Sequence, residues 1–253
     1  MDTEEIGAPG ERLVSWARTH GAFVCESAEF LVPSPLGDGD RTVRAKGDVA
    51  EGTQLLRLPR ALAFALPQGS ASGPLGVEPE FLEALQTEAA RDFAEIKQRC
   101  PPSKNALVAL LLCRERIRDS SPFGVYLDSL PKSFPTMPLL DDDPPWCQGA
   151  TADVDDGTAG EDRPWIYRGT ALEILAHAEA GLAGAEGIQA MQRLVASTRP
   201  FWPQEPPEAQ LRWAAANVQS RAHAAQGGGT ILIPLADCFN HSPTSPGFKE
   251  RQL

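Results

Sequence analysis

The residues best suited to chemistry lie near the end of the chain. Asp237, Asn240 and His241 fall within five consecutive positions, directly after an apolar segment that contains Pro234. A carboxylate and an imidazole this close are residue types found in hydrolases and metal sites. An Asn-His pair also occurs in an Asx-turn with an exposed histidine. From these residues alone, both interpretations stay open.

Arg221 is a second candidate. Leu211, Ala214 and Val218 recur at helical spacing, and Arg221 lies at the edge of this stripe. A planar guanidinium can bind a carboxylate through two parallel hydrogen bonds, which a lysine cannot do. The alternative is a cation near a helix C-terminus, where it favours the helix dipole.

The cysteines predict neither a disulfide framework nor a zinc site. They are odd in number, none forms a C-x-x-C pair, and no Cys/His cluster has ligand spacing. We therefore expect no metal, and reduced thiols in an intracellular protein. The five are Cys25, Cys100, Cys113, Cys147 and Cys238.

The negative net charge of the chain argues against two classes of binding partner. The net charge is −11, which argues against direct binding to nucleic acid or to an anionic membrane surface. Residues 141–162 carry eight Asp or Glu and no Lys or Arg, so we expect a solvated loop, either disordered or used for interaction. The acidic segment Met1–Gly10 has no targeting pattern, and no apolar run could cross a membrane. The expected location is cytoplasmic or nuclear.

The elements that must position these residues form three groups. A short amphipathic helix, Glu11–Thr19, ends at Gly21, and Ala22–Leu66 has the Pro- and Gly-punctuated texture of short strands. A long helical block follows, and then a strand at Thr230–Leu235. Strands on both sides of the helices predict a helical block inserted into a β-domain. The predicted helices are Glu80–Arg99, a buried helix after Ser103 that contains Leu107–Leu112, Ala171–Leu182, Gly187–Ser197 and Glu208–Ala225.

Four motifs occur in order along the chain. The last is the most specific, because Asp-x-x-Asn-His follows a segment that contains a proline. Together they resemble the SET-domain protein-lysine methyltransferases of the RuBisCO large-subunit methyltransferase type. The motifs are Ala45–Gly52 followed by Leu55–Pro59; Ser121–Phe123 with Tyr126–Pro131; Trp213-Ala214 with Val218, Ser220 and Arg221; and Ile233–Ser242.

The resemblance implies an α+β fold, a SET-domain β-fold with a large helical insertion. It also implies that the C-terminal strands and a helical substrate-binding domain are absent from this chain. The implied division is an N-terminal helix (1–20), an N-terminal β part (21–70), a helical insertion with the acidic loop (71–210) and a C-terminal SET part (211–253).

The implied function is S-adenosyl-L-methionine-dependent N-methylation of a lysine in a protein substrate. This chemistry needs no metal and no covalent nucleophile. It needs aligned reactants, exclusion of water and a neutral amine. Two alternatives stay open: a non-catalytic SET-like binding or scaffold module, and an unrelated hydrolase or metal-site protein that uses Asp237 and His241.

The resemblance also implies a cofactor site. Asn240 and His241 match the family's Asn-His pair at the cofactor, and Arg221 matches an arginine at the cofactor's carboxylate. The family's Gly-x-Gly is not in the ungapped register, where Asp40 and Thr42 stand. Of the upstream glycines, Gly37 and Gly39 would serve if the loop is longer.

The resemblance assigns no catalytic residue. Family members continue past the Asn-His pair to a tyrosine beside the target lysine, whereas this chain ends at Leu253, twelve residues after His241. Its two tyrosines, Tyr126 and Tyr167, match no catalytic position. Whether this chain is an enzyme is therefore left undecided by its sequence. Trp213 is expected to be a core anchor.

Overall fold

The computed structural model of the chain describes residues 8–33, 41–67, 73–95, 104–132, 134, 181–225 and 229–239. Several sequence predictions lie outside these residues. They are the acidic loop 141–162, most of the helix predicted at Ala171–Leu182, the cap at Ser103, and the candidate site residues Gly37, Gly39, Asn240 and His241.

The first helix, α1 (Pro9–Thr19), agrees with its prediction. Proline at the first helical position has the right φ and needs no hydrogen-bond partner for its nitrogen. Gly21 has φ 87°, a left-handed conformation that glycine adopts without strain and that ends the helix. The apolar face of α1 buries Leu13 and Trp16.

Short strands follow α1, as the Pro- and Gly-rich texture predicts. Strand β1 (Phe23–Val24) pairs antiparallel with β4 (Leu56–Arg57). Strand β2 (Ala28–Pro33) pairs antiparallel with β3 (Arg41–Ala45) and has an irregular register in its middle. Leu31 lies in that irregular part with φ 55°, so the ladder is locally distorted there.

Five helices make up the described part of the helical block. They are α2 (Pro79–Glu95), α3 (Lys104–Arg116), α4 (Gly124–Ser129), α5 (Ala185–Ser197) and α6 (Glu208–Arg221). Helix α3 is buried on all sides from residue 106 to residue 115, because α4, α5, α6, β5 and β7 all pack against it. It is the buried helix that the sequence predicts. Within the described ranges, no helix has both the length and the apolar character to cross a membrane.

A three-stranded antiparallel sheet joins the segments before and after the helical block. Strand β5 (Phe64–Ala65) lies before the helices, while β6 (His223–Ala225) and β7 (Gly229–Leu232) lie after them. The strand order is β5-β7-β6, with Phe64 opposite Leu232. One sheet is thus completed by segments on both sides of the helical block, as the order of elements predicts.

The predicted end of the last helix is wrong. The helix was expected to run to Ala225, but α6 ends at Arg221, and Ala222 is extended with ψ 147°. The next three residues form β6, in which His223 pairs with Ile231 and Ala225 with Gly229. Alanine has a high helical propensity, and here tertiary strand pairing overrides it. The strand predicted at Thr230–Leu235 is observed as β7, Gly229–Leu232. It ends earlier than predicted because Pro234 and Leu235 form a turn.

The second sequence motif has a local structural role. Ser121 Oγ donates a hydrogen bond to Glu115 Oε2 at 2.7 Å and accepts one from the backbone N–H of Phe123 at 3.1 Å. Glu115 is buried and also accepts hydrogen bonds from Arg114 and Arg118, each at 3.3 Å. The motif therefore ties the start of α4 to the end of α3.

An aromatic cluster connects α1, β5 and α4. The ring centroids of Phe64 and Phe123 are 4.4 Å apart, and Trp16 stacks on Tyr126 at 6.4 Å. Trp16 also donates its indole N–H to the Pro122 carbonyl at 2.8 Å. These contacts hold the ring of Tyr126 in the centre of the molecule.

A close contact between α1 and β2 generates a stability prediction. A Cβ added at Gly10 would collide with the Phe30 carbonyl, which is backbone and cannot move alone. Gly10→Ala should therefore lower the free energy of unfolding by about 1–3 kcal/mol, measured by urea denaturation. Gly124→Ala is the matched control, because no heavy atom outside its chain neighbours and its own helix backbone lies within 4 Å of the added methyl group. It should change the stability by less than about 1 kcal/mol. Equal effects at both positions would refute the collision.

Candidate functional site

Arg221 reaches from the end of α6 to the turn that follows β7. Leu211, Ala214 and Val218 are buried on the inner face of this helix, as their spacing predicts. The Nη1 atom of Arg221 donates a hydrogen bond to the backbone carbonyl of Asp237 at 3.0 Å and lies 4.0 Å from its Oδ2. Arg221 and Asp237, both candidates from the sequence, are thus brought together by the fold.

Asp237 lies in a tight turn, Ala236–Cys238, that begins after a strained residue. Leu235 has φ 68° and ψ −42°, a conformation that is rare and costly for a residue with a branched side chain. Its side chain is fully buried, so the surrounding core holds the residue in place. The fold thus stabilises a strained conformation at the start of the turn. Strained residues of this kind cluster at functional sites.

The carboxylate of Asp237 is bound from the helical block by Tyr126. The Tyr126 hydroxyl donates a hydrogen bond to Asp237 Oδ2 at 2.9 Å, and both groups are buried. On the other oxygen, the thiol of Cys238 lies 3.7 Å from Oδ1. The sequence motifs assign Tyr126 no site role. A buried phenol needs a hydrogen-bond partner, but nothing in the sequence identifies the partner.

Burial sets the electrostatics of this pair. Burial raises the pKa of Asp237 above its ordinary value of 3.8, and the Arg221 guanidinium and the Tyr126 hydroxyl partly oppose that rise. Burial and the neighbouring carboxylate also raise the pKa of Tyr126 well above its ordinary value. The phenol therefore keeps its proton and acts as the donor.

Arg221 has one donor left over. Among the buried side-chain atoms of the described residues, its Nε–H has no hydrogen-bond partner. In a guanidinium, Nε and Nη2 share one edge, and that edge is the fork that binds a carboxylate. A buried donor without a partner costs free energy. The residue thus fits the carboxylate of an amino-acid ligand, which would supply the acceptor.

The other predicted site residues are not described. Asn240 and His241 follow Phe239, the last described residue, and Gly37 and Gly39 belong to the undescribed residues between β2 and β3. In the described ranges, no group of three His, Cys, Asp or Glu side chains could hold a metal ion.

The described cysteines are thiols. Cys25, Cys113 and Cys238 form no disulfide, while Cys100 and Cys147 lie outside the described residues. Burial raises the pKa of Cys113 to about 12, so this thiol is not reactive as a thiolate.

Trp213 is a core anchor, as predicted. Its indole packs against the main core and donates to the Pro131 carbonyl at 2.8 Å. The guanidinium of Arg116 lies over the ring, 5.3 Å from its centroid. Because Pro131 ends the second motif and Trp213 begins the third, this contact connects the two motifs in space.

Solved structures with the same fold are SET domains. The chain is similar to the SET domain of LSMT bound to lysine and AdoHcy (TM-score 0.61, 96% of this chain), and to Rubisco LSMT bound to AdoMet (0.57, 94%) or to sinefungin and monomethyllysine (0.56, 94%). Identity is 16% in each case, and this chain spans about half (46%) of the length of each of those chains. No protein-family model and no curated protein matches the sequence. The fold is that of a SET domain, the mixed helix and strand architecture that the motifs imply.

The raised pKa of Asp237 predicts how stability depends on pH. Above pH 3.8 the folded protein binds more protons than the unfolded chain, so this group lowers the stability as the pH rises toward its folded pKa. Asp237→Asn removes this contribution and keeps an acceptor for Tyr126. The stability of Asp237→Asn minus that of the wild type should therefore increase with pH from pH 3.8 upward, measured by urea denaturation at a series of pH values.

Asp128→Asn is the control for this series. Asp128 is 76% exposed and pairs with Arg116 at the surface, so its loss should change the stability by less than about 0.5 kcal/mol. If the difference between Asp237→Asn and wild type does not change with pH, the carboxyl group has an ordinary pKa in the folded protein.

Proposed function

We propose that this chain is the SET part of an S-adenosyl-L-methionine-dependent protein-lysine N-methyltransferase. The observation that carries the proposal is the guanidinium of Arg221 on a SET fold, with a buried Nε–H that has no acceptor among the described residues. This donor lies beside the turn that leads directly to Asn240 and His241. Solved structures of the same fold carry AdoMet or AdoHcy.

The proposed cofactor contacts follow from the chemistry of each residue. Arg221 would bind the carboxylate of S-adenosyl-L-methionine through its Nε edge. Asn240 and His241 are proposed at the cofactor's amino-acid part and adenine, because an amide offers a donor and an acceptor together. Gly37 and Gly39 are proposed for the loop in which the backbone approaches the cofactor.

When bound, the cofactor supplies a methyl group on a sulfonium, which a neutral lysine amine attacks in line. The protein's task is to orient the two reactants and to exclude water. Leu235, held strained in the core, and the buried Asp237 are proposed to form a rigid wall of the site. A rigid wall supports this task because small misplacements of the reactants slow the reaction strongly.

The proposed partner is a protein that presents a lysine. The similar solved structures were determined with lysine or monomethyllysine. A net charge of −11 attracts a cationic substrate over distances of several ångströms. The same charge disfavours direct binding to nucleic acid.

Cofactor binding tests the proposal by titration calorimetry of the purified chain with S-adenosyl-L-methionine. We expect saturable binding in the micromolar range. Arg221→Lys keeps the charge but loses the fork, so the dissociation constant should rise roughly 10- to 100-fold, since a hydrogen bond to a charged group contributes about 1.5–3 kcal/mol. Arg212→Lys is the matched control, because Arg212 lies on the same helix and pairs with Glu208 at the surface.

The outcomes separate the three candidate functions. Binding together with methyl transfer to a lysine-bearing protein supports the enzyme. Binding without transfer, tested also in the longest form of the protein, supports a non-catalytic SET-like module. If the folded chain does not bind and metal analysis finds a stoichiometric ion, the hydrolase or metal-site alternative is correct. Equal losses for Arg221→Lys and Arg212→Lys would exclude Arg221 from the site.

A further inference from the structure

The hydroxyl of Tyr126 is fixed in space by the core. Its ring is fully buried and packs on Trp16 and Phe64, with centroid distances of 6.4 and 6.0 Å. The ring cannot turn without disturbing the aromatic cluster. The O–H therefore points at Asp237 Oδ2 because of packing in the helical block, which is distant in sequence from the turn.

Three donors hold Asp237 from different directions. Tyr126 binds the side-chain oxygen Oδ2, the Cys238 thiol donates to the other oxygen, Oδ1, at 3.7 Å, and Arg221 binds the backbone carbonyl of the same residue. The distance from Arg221 Nη1 to Oδ2 is 4.0 Å, longer than a hydrogen bond. The carboxylate thus accepts its hydrogen bonds from two neutral donors, Tyr126 and Cys238, although a cation lies next to it.

This division of donors has a consequence for Arg221. A buried carboxylate that loses a hydrogen bond is strongly driven to find another donor. The Arg221 guanidinium is near enough to take that place by a small rotation, since a contact of 4.0 Å needs to shorten by only about 1 Å to become a charge-assisted hydrogen bond. The rotation would bring Nη1 to Oδ2 and turn the Nε edge out of its present orientation.

We propose that Tyr126 is a positioning residue of the cofactor site: by binding Asp237 Oδ2, its hydroxyl keeps the Nε edge of Arg221 available to the carboxylate of the ligand. The inference rests on the proposed function. It assigns a role in cofactor affinity to a residue of the helical insertion. Tyr126 does not touch the ligand in this proposal and acts only through Asp237 and Arg221.

Tyr126→Phe tests the inference, because it removes the hydroxyl and keeps the ring in the aromatic cluster. We expect the dissociation constant for S-adenosyl-L-methionine to rise about ten-fold in calorimetric titration, as Asp237 captures Arg221. Thr198→Val is the matched control. It also removes a buried hydroxyl, one that donates to the Leu194 carbonyl at 2.6 Å and accepts from Trp202 at 3.0 Å, away from the site. Its dissociation constant should stay within about two-fold of the wild type, as expected for a distant, independent site.

A rescue experiment separates positioning from simple destabilisation. In the double variant Tyr126→Phe/Asp237→Asn, the charge that competes for Arg221 is gone. Affinity should therefore recover to within about three-fold of the wild type, a clear departure from additivity between coupled residues. If Tyr126 merely stabilises the fold, the second substitution would not restore binding.

These experiments test the role of Tyr126 whether or not the proposed function is correct. Unchanged affinity in Tyr126→Phe, failed rescue, or an equal loss in Thr198→Val overturns it and leaves the methyltransferase proposal standing. If the folded wild type binds no S-adenosyl-L-methionine, the proposed function fails, and the inference is decided without ligand. In that case the NMR resonance of Arg221 Nε–H, assigned by its loss in Arg221→Lys, should shift in Tyr126→Phe and not in Thr198→Val. An unmoved resonance overturns the inference.

Discussion

A buried carboxylate needs hydrogen-bond donors, and the need of Asp237 organises the functional end of this molecule. Its side chain is almost completely shielded from water, so leaving it without donors would cost several kcal/mol. Tyr126 of the helical block donates to the carboxylate, and Arg221 at the end of the last helix donates to the backbone carbonyl of the same residue. Two helices of the block therefore meet at one residue of the turn. The turn they hold leads into the Asn-His motif.

The SET fold explains why those parts can meet. Strand β7 pairs with β5, which precedes all the helices of the block, and with β6, which directly follows the last one. The sheet is complete only when the segments on both sides of the helical block have paired. Helix α3 is buried between the other elements, which pack against it. Strand β7 leads into the strained Leu235 and the turn after it, and this turn contacts Tyr126, which packs on Trp16 and Phe64. The helical insertion therefore contributes to the site as well as the strands, because it supplies Tyr126.

Much of the fold could be predicted from the sequence, and less of the site. Helix α1, the short strands after it and the buried helix α3 each have local signals, namely a proline start, glycine stops and a continuous apolar run. The end of α6 could not be predicted, because Ala222 to Ala225 favour a helix locally and form a strand only by pairing with β7. For the site, Arg221 is a candidate through its match to the family's arginine and its place at the edge of a helical stripe, whereas the motifs assign Tyr126 no site role. Gly37, Gly39, Asn240 and His241 stay predictions, since they lie outside the described residues.

The sequence by itself determined the element types, their order and the motifs that resemble SET methyltransferases, because propensity, periodicity and capping act within a few turns of chain. The tertiary structure alone decided which buried groups become partners. Tyr126 and Asp237 are 111 positions apart. Their hydrogen bond exists because the three-stranded sheet and the aromatic cluster bring them to 2.9 Å in a place that water cannot reach. Among the residues that the structure describes, the same packing leaves the Nε–H of Arg221 buried without an acceptor. Local sequence patterns carry no information about such pairings, since the free energy that selects them arises only once the core has formed.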